Sequence, residues 1–338
     1  MKKKNNKSIQ KIGKKLKTDS MIKKIFITGA AGFIGSHLSE TLYSKFKNSN
    51  FILFDKITYA ANKKYLKKII NNKNVKFKKN DLLNYRELEK NLKDVDLAIN
   101  VAAESHVDNS FGNSLIFTRT NTLGTHHFLE ACRKQRVKKI IHVSTDEVYG
   151  ENLNKPFDEN HFLNPTNPYS ASKAGADMMV NAYKKSYKLN IITVRANNIY
   201  GTRQYPEKLV SKSIYSFLKK KKMTIHGKGN SVRYYLSVQD FCEGMIRIIR
   251  RSKPNQIYNI GSNRSYKVLK VIKMISKHLN VDFSKNVKFI EDRPFNDKIY
   301  KINCKKIMKL GWKSRDLLEV DISKICEWYK KNYILFDK

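Results

Sequence analysis

Short apolar runs alternate with longer amphipathic stretches between residues 24 and 196, and this alternation limits the fold more than any other feature. The runs are predicted to be strands and are KIFIT (24–28), FILFD (51–55), VKF (75–77), DLAINV (96–101), KIIHVS (139–144) and IITVRA (191–196). Between them, apolar residues recur at spacings of three and four, as in 113–134, which is typical of helices. The pattern predicts an α/β fold with a parallel, doubly wound sheet and ligands at the carboxyl ends of its strands.

Proline marks a change along the chain, because none precedes Pro156 and all six follow from there. We predict a first domain over 21–200, to which 236–261 returns, and a smaller lobe that makes up most of 201–338. The elements predicted in this lobe are a helix at 206–219, short strands near 224–226 and 288–290, and closing helices near 303–309 and 316–334.

The chain is strongly basic, with 68 Lys and Arg against 29 Asp and Glu and a formal charge of +39. The electrostatic field of such a positive charge attracts phosphate groups. The lysines are spread through every segment, however, so we interpret the charge as a general compositional bias. An anionic small molecule is favoured as partner over nucleic acid or a membrane.

The N-terminal segment 1–20 carries eight lysines and is predicted to be a disordered tail. It lacks the apolar run of a signal peptide or membrane anchor, and Met21 would serve as an alternative start. No later stretch approaches the roughly 20 apolar residues that span a bilayer. The four cysteines are far apart, which favours a reduced, cytoplasmic setting and predicts no metal site; they are Cys132, Cys242, Cys304 and Cys326.

A glycine loop, TGAAGFIGS, follows the first predicted strand with Gly29, Gly32 and Gly35. Small residues let the backbone approach a pyrophosphate, and the helix that follows offers free N–H groups. Asp55 ends the second strand, where a carboxylate can accept hydrogen bonds from both ribose hydroxyls and would repel a 2′-phosphate. The loop and this acid predict a dinucleotide site that prefers NAD to NADP.

In NPYSASK, Tyr169 and Lys173 are four positions apart, so a helix places them on one face. A phenol has a pKa of about 10, and a neighbouring ammonium together with the positive nicotinamide ring would favour the phenolate. Thr145, at the end of a predicted strand, supplies a hydroxyl partner. The three side chains are predicted to oxidise an alcohol.

Asp146 and Glu147 directly follow Thr145 and are not needed for a simple alcohol oxidation. Elimination, by contrast, needs an acid and a base together. Once a sugar C4 hydroxyl is oxidised, the C5 hydrogen becomes acidic, and one carboxylate can remove it while the other, kept protonated by burial and by its anionic neighbour, protonates the departing C6 hydroxyl. The alternative is that either acid simply caps the turn that follows.

Several motifs closely resemble those of the nucleotide-diphosphate-glucose 4,6-dehydratases, which belong to the extended short-chain dehydrogenase/reductases and have a Rossmann-type sheet. These motifs are AAESHVDNSFGNS (102–114), HVSTDEVYGE (142–151), PTNPYSASKAGA (165–176), NNIYG with YPEKLV (197–210), IHGKGNSVRYYL (225–236) and EDRPFNDKIY (291–300). The Thr-Asp-Glu triplet is the most specific of them, because the related 4-epimerases normally lack the acid pair.

The resemblance implies that Asp146 is the acid at C6, Glu147 the base at C5 and Tyr169 the base at the C4 hydroxyl. It also implies cofactor contacts, beyond Gly29, Gly32, Gly35, Asp55, Tyr169 and Lys173, from Phe33, Ile34, Lys56, Thr58, Asp81, Leu82, Ala102, Ala103 and Ser105. The implied substrate-binding residues are Ser105, Thr145, Asn198, Lys208, Leu209, His226, Arg233 and Arg293. Family members of this kind are homodimers, which suggests pairing through helices near 113–134 and 167–188.

Within the family, RPFNDKIY (293–300) is closer to the UDP-glucose enzymes, which read RPFNDQRY, than to the dTDP-glucose enzymes. UDP-glucose is therefore favoured, on a route to rhamnose-type sugars, with dTDP-glucose as the alternative. Ile299 stands where an arginine is usual, with Lys298 beside it, and Lys228 where an aspartate is common. Two further alternatives are a 4-epimerase or decarboxylating dehydrogenase on the same fold and a binding protein without catalysis.

Overall fold

The structure, a computed structural model, describes residues 22–151, 155–291 and 300–337. The basic tail predicted over 1–20 lies outside the described residues. The strands are β1 (Lys24–Thr28), β2 (Asn50–Asp55), β3 (Val75–Lys79), β4 (Leu97–Asn100), β5 (Lys139–Thr145), β6 (Ile191–Ala196), β7 (Asn198–Tyr200), β8 (Met223–His226), β9 (Val232–Ser237), β10 (Ile257–Ile260), β11 (Ser265–Lys267) and β12 (Val287–Ile290).

The helices cover the faces of the sheet and build most of the second lobe. They are α1 (Phe33–Lys45), α2 (Tyr85–Asn91), α3 (Val107–Gly112), α4 (Ser114–Phe117), α5 (Gly124–Lys134), α6 (Pro168–Ser186), α7 (Leu209–Leu218), α8 (Val238–Arg251), α9 (Val268–His278), α10 (Phe283–Asn286), α11 (Lys305–Met308) and α12 (Leu318–Asn332). Within the described ranges, no helix has both the length and the apolar character needed to cross a bilayer.

The main sheet has seven strands in the order β3-β2-β1-β4-β5-β6-β10, and every neighbouring pair is parallel. The strand order reverses between β1 and β4, and ligands bind at such a switch point, at the carboxyl ends of the strands. The topology confirms the predicted doubly wound, Rossmann-type α/β fold. The last strand, β10, comes from the segment 236–261, which therefore rejoins this sheet.

Two apolar layers enclose the main sheet. One buries Leu38 and Leu42 of α1 and Phe241 of α8, and the other buries Phe128 of α5 and Val180 of α6. A separate apolar cluster, centred on α7, α9 and α12, supports the second lobe with its two small sheets, β11-β9-β7 and β12-β8. The chain leaves the main sheet after β6 and enters the second lobe through β7.

The segment 113–134, predicted as one amphipathic helix, is interrupted by a π-helical stretch at Thr118–Leu123 between α4 and α5. Asn121 explains the interruption, because its side chain bonds both the N–H and the carbonyl of Glu104 and also the Ser172 hydroxyl. A π-helical turn often lies at a functional site. Here it fixes the loop that follows β4 against α6.

Candidate active site

A cleft of about 430 Å³ runs along the carboxyl ends of the main strands and into the second lobe. This volume lies in the range of about 300–1,000 Å³ that is usual for ligand sites. Every predicted site residue that the structure describes lines this cleft; in chain order these are Gly29, Gly32, Phe33, Ile34, Gly35, Asp55, Lys56, Thr58, Asp81, Leu82, Ala102, Ala103, Ser105, Thr145, Asp146, Glu147, Tyr169, Lys173, Asn198, Lys208, Leu209, His226 and Arg233. Arg293, Lys298 and Ile299 lie outside the described residues.

The glycine loop is built around two close backbone approaches. Gly29 has a φ of +63°, and a Cβ there would lie 2.7 Å from the Ala102 Cα atom. A Cβ on Gly35 would lie 2.0 Å from the Gly29 carbonyl oxygen. The loop therefore tolerates only glycine at both positions. Gly32 caps α1 without a side chain, which leaves the first N–H groups of the helix open to an anion.

Asp55 lies at the end of β2 beside this loop. Its Oδ2 atom accepts a 2.8 Å hydrogen bond from the Ala31 N–H and its Oδ1 atom a 2.7 Å bond from the Ile57 N–H. Burial raises the pKa of this carboxyl, and the backbone bonds oppose the rise. The carboxylate keeps acceptor capacity beyond these backbone bonds, so the group can also accept a hydroxyl donor from a ribose.

Lys56 and Asp81 also line the cleft and form a partly exposed ion pair of 2.6 Å. The Thr28 hydroxyl accepts hydrogen bonds from the N–H groups of Val101 and Ala102, which fixes the loop after β4 beside the glycines. The glycine cradle, the open helix end and the Asp55 carboxylate together fit a dinucleotide such as NAD.

Tyr169 and Lys173 lie on the first turns of α6, which begins with a capping box formed by Asn167 and Ser170. Thr145 hydrogen-bonds to the Tyr169 hydroxyl. Burial, then the charge of Glu147, raises the pKa of Tyr169. The Lys173 ammonium donates a 2.8 Å bond to the Val143 carbonyl, and burial lowers the pKa of Lys173 to about 8.

Asp146 and Glu147 open a 3₁₀ turn, Asp146–Tyr149, directly after β5. Asp146 is 2% exposed. Burial first, and the charge of Glu147 second, raise the pKa of Asp146 to about 7, while bonds from Asn197 and Thr145 oppose the rise. Near neutral pH, Asp146 can therefore hold a proton beside an acidic neighbour, as the elimination chemistry requires.

The second lobe contributes the other wall of the cleft. Lys208 donates a 2.6 Å bond to the Ser105 carbonyl and lies above the Tyr169 ring. His226 ends β8, and Arg233 in β9 stacks on the Tyr300 ring. The cationic side chains here suit an anionic ligand.

The lining residues that sequence reasoning missed include Asn197, Glu207 and Glu104. Asn197 donates a 2.6 Å bond to the Asp146 Oδ2 atom. Glu207 accepts a bond from the Tyr59 hydroxyl, and its charge contributes to a raised pKa of Glu104. The motifs NNIYG and YPEKLV contain Asn197 and Glu207, but their roles depend on contacts with distant segments.

A doubly wound sheet, a three-glycine loop and a Thr-Tyr-Lys set define an enzyme of the extended short-chain dehydrogenase/reductase class. The profile of the family described as GDP-mannose 4,6 dehydratase matches residues 26–325. The chain belongs to this family.

Its relatives include dehydratases for two nucleotide sugars. It is 42% identical to dTDP-D-glucose 4,6-dehydratase of Dictyostelium discoideum, over 94% of this chain and 83% of the relative. It is 43% identical to a trifunctional UDP-glucose 4,6-dehydratase of Arabidopsis thaliana, over 92% of this chain but 48% of the relative, so it spans about half of that protein. The solved structure of dTDP-glucose 4,6-dehydratase from Streptomyces venezuelae with NAD bound matches this chain with a TM-score of 0.89 at 31% identity. The match covers 92% of this chain and 98% of the Streptomyces chain.

Proposed function

We propose that this protein dehydrates a nucleotide-diphosphate-glucose to the 4-keto-6-deoxyglucose nucleotide, with NAD as a recycled cofactor. The observation that carries the proposal is the buried pair Asp146 and Glu147 beside Tyr169, with the pKa of Asp146 raised to about 7. A sugar epimerase has no need of this pair. Alcohol oxidation alone would leave both acids without a role.

The residues act in sequence. Tyr169, with Thr145 at its hydroxyl, removes the C4 hydroxyl proton. Glu147 then takes the C5 proton, the electrons of that bond form the C5–C6 double bond, and the C6–O bond breaks with its electron pair. Asp146 donates its proton to the departing oxygen, and water leaves. Glu147 returns its proton to C5 at the end. Asp146 has lost one proton with the water and Tyr169 has gained one from the C4 hydroxyl, so the net transfer of one proton from Tyr169 to Asp146 restores all three groups to their starting states.

NAD would be held by the glycine loop, Asp55 and Lys173, and it supplies a hydride acceptor at C4 and a hydride donor at C6. Asp55 favours NAD over NADP, because its buried carboxylate would face a 2′-phosphate. The loop residues Ala102, Ala103 and Ser105 close the cofactor half of the cleft.

UDP-glucose is the substrate we favour, because RPFNDKIY (293–300) resembles the UDP-glucose enzymes, and dTDP-glucose is the second candidate. Lys208, Arg233 and Arg293 are proposed to bind the pyrophosphate, and Asn198, Leu209 and His226 to contact the sugar and base. Guanidinium forks suit a bidentate anion. We also propose that 21–200 with 236–261 forms the NAD-binding domain and that the rest of 201–338 forms most of the substrate lobe.

A homodimer is proposed through the face formed by α3, α4, the π-helical stretch and α6. Apolar side chains cluster here and are exposed, with Leu115 at 75% and Met178 at 55%. An exposed apolar patch of this kind marks an interaction surface. The thiols are all free, which supports a reducing, cytoplasmic setting for the dimer.

The direct test is to incubate the purified protein with UDP-glucose or dTDP-glucose, without added reductant, and to follow loss of one water by mass spectrometry. We expect water loss, with UDP-glucose preferred. The matched control is the Asp146→Asn, Glu147→Gln double variant, which keeps Tyr169 and the cofactor site. Full activity in that variant would contradict the mechanism.

A further inference from the structure

Asn197 occupies the point where the chain leaves the main sheet, between β6 and β7. Its side chain is 3% exposed, and its backbone N–H donates to the Ile260 carbonyl at 3.1 Å. Its Nδ2 atom donates the 2.6 Å bond to Asp146 Oδ2. On the opposite side, a Cβ on Gly261 would lie 2.0 Å from the Asn197 Oδ1 atom. The amide is thus held tightly between the acid turn and Gly261.

This contact decides which oxygen of Asp146 can carry the proton. An amide nitrogen only donates, so Oδ2 must act as the acceptor. Oδ1 accepts a 3.2 Å bond from the Thr145 hydroxyl when Asp146 is ionised. A hydroxyl can rotate and accept a bond instead, which an amide NH₂ cannot do, so the proton of the neutral acid is left to Oδ1. Thr145 also hydrogen-bonds to Tyr169. The protonated oxygen consequently lies on the side of the group that would bind the sugar C4 hydroxyl.

We propose that Asn197 is a positioning residue for the elimination step, which holds Asp146 Oδ2 as an acceptor and so presents the acidic proton on Oδ1 to the C6 hydroxyl. This inference rests on the proposed dehydration. When the C6–O bond breaks, the Oδ1 proton moves to the departing oxygen, and the resulting Asp146 carboxylate keeps the Asn197 bond. A bond to the charged form is stronger than one to the neutral form, so Asn197 also assists the proton transfer.

Titratable groups from three elements interact electrostatically with Asp146. They are Glu147 on its own turn, Tyr169 on α6 and Cys304 just before α11. Burial and Glu147 favour the protonated acid, and the Asn197 bond opposes them. Removal of the amide should therefore raise the pKa of Asp146 and free its proton to occupy either oxygen.

Asn197→Ala tests this role. We expect kcat for dehydration to fall by about 10- to 100-fold with KM within about twofold, because the interaction matters in the transition state. The basic limb of the kcat–pH profile should move up by about one unit. Quenched reactions should also contain 4-keto sugar that has kept its C6 hydroxyl, because oxidation would outrun elimination.

A matched control exists in Asn91→Ala. Asn91 is also buried and its amide also donates to a carboxylate, Glu87, but it lies on α2 outside the cleft. We expect this variant to lose some stability and to keep the pH profile and product distribution of the parent protein. A shift of the pH profile in Asn91→Ala equal to that in Asn197→Ala would overturn the proposal.

Gly261→Ala provides a second test that leaves Asn197 in place. The added methyl would collide with the Asn197 amide and push it from Asp146, so this variant should reproduce the pH shift. In the Asn197→Ala background, which removes the collision, Gly261→Ala should change kcat by less than about twofold. If Asn197→Ala and Gly261→Ala both have the kcat–pH profile of the parent protein, the role of Asn197 is overturned and the proposed dehydration is not. If the parent protein does not dehydrate the substrate at all, the proposed function itself is overturned.

Discussion

Lys173 and Val143 are joined across the floor of the cleft, where the Lys173 ammonium donates a 2.8 Å hydrogen bond to the Val143 carbonyl oxygen. The sequence predicted that this ammonium, together with the positive nicotinamide ring, would favour the Tyr169 phenolate. Within the protein itself, burial and Glu147 both raise the pKa of Tyr169. The protein alone therefore keeps Tyr169 neutral, and the positive cofactor ring must supply the missing stabilisation of the phenolate.

This arrangement predicts that the titration of Tyr169 depends on the cofactor. A tyrosinate absorbance that is absent from Tyr169→Phe should appear at lower pH when NAD is bound than without it. Lys173→Met should reduce the size of that change, because the ammonium would no longer add its charge near the ring. An equally low Tyr169 pKa without NAD would contradict this account.

The glycine loop predicts a sharp difference between two glycine substitutions. Gly35→Ala places a Cβ 2.0 Å from the Gly29 carbonyl oxygen, whereas a Cβ on Gly112 in α3 meets nothing within 4 Å. We expect Gly35→Ala to lower the free energy of unfolding by about 2 kcal/mol or more and to abolish NAD binding. Gly112→Ala should remain within about 0.5 kcal/mol of the parent or be more stable. Thermal unfolding and NAD titration measure both effects.

Asp55→Asn is expected to weaken NAD binding by about 10-fold and to reduce stability. Both carboxylate oxygens accept backbone N–H groups, so an amide in either orientation would set its NH₂ against a donor from Ala31 or Ile57. Calorimetric titration with NAD checks the affinity. Asp94→Asn, at an exposed turn outside the cleft, serves as control and should change neither quantity.

We expect the buried Asp146 carboxyl to lower the free energy of unfolding at high pH, where it must ionise. Its pKa is raised from 3.8 to about 7 on folding, so folding favours the protonated form, and the stability this contributes is present below the unfolded pKa and lost as the pH rises through about 7. Asp146→Asn removes that loss and keeps an acceptor for Asn197. We expect it to be more stable than the parent at pH 8, by up to about 4 kcal/mol, and similar at pH 4. Equal differences at both pH values would contradict the raised pKa.

The proposed dimer face makes a prediction about oligomeric state. Leu115→Lys, on α4 of this face, should shift the protein from dimer to monomer in light scattering after gel filtration. Phe162→Lys is the matched control, because Phe162 is almost equally exposed, at 74%, but lies in the loop that precedes α6. A dimer that survives Leu115→Lys would place the interface elsewhere.

Short-range patterns account for what the sequence could predict. The alternation of strands and helices, the glycine spacing and the Tyr-Lys spacing are local, and the fold that they imply brings Gly29, Asp55 and Tyr169 to one cleft without further information. The Thr-Asp-Glu triplet is likewise contiguous. Within the triplet, the raised pKa of Asp146 follows from burial and from the adjacent charge of Glu147, and the sequence already suggested both causes.

Contacts between distant segments account for the features that could not be predicted from the sequence. Asn197 bonds Asp146 from 51 positions away, and its amide is confined by Gly261, which directly follows β10. The π-helical stretch depends on Asn121 reaching Glu104 and Ser172. No local pattern marks these residues, because their roles arise only once the strands are assembled.

The central claim, that a hydride leaves C4 and returns to C6 of the same sugar around an elimination by Asp146 and Glu147, is tested most directly with nucleotide-diphosphate-glucose that carries deuterium at C4. We predict a 4-keto-6-deoxy product that has lost one water and carries the deuterium at C6, with no net reduction of added NAD. Deuterium retained at C4 of an isomerised sugar, or released to the cofactor pool, would contradict it.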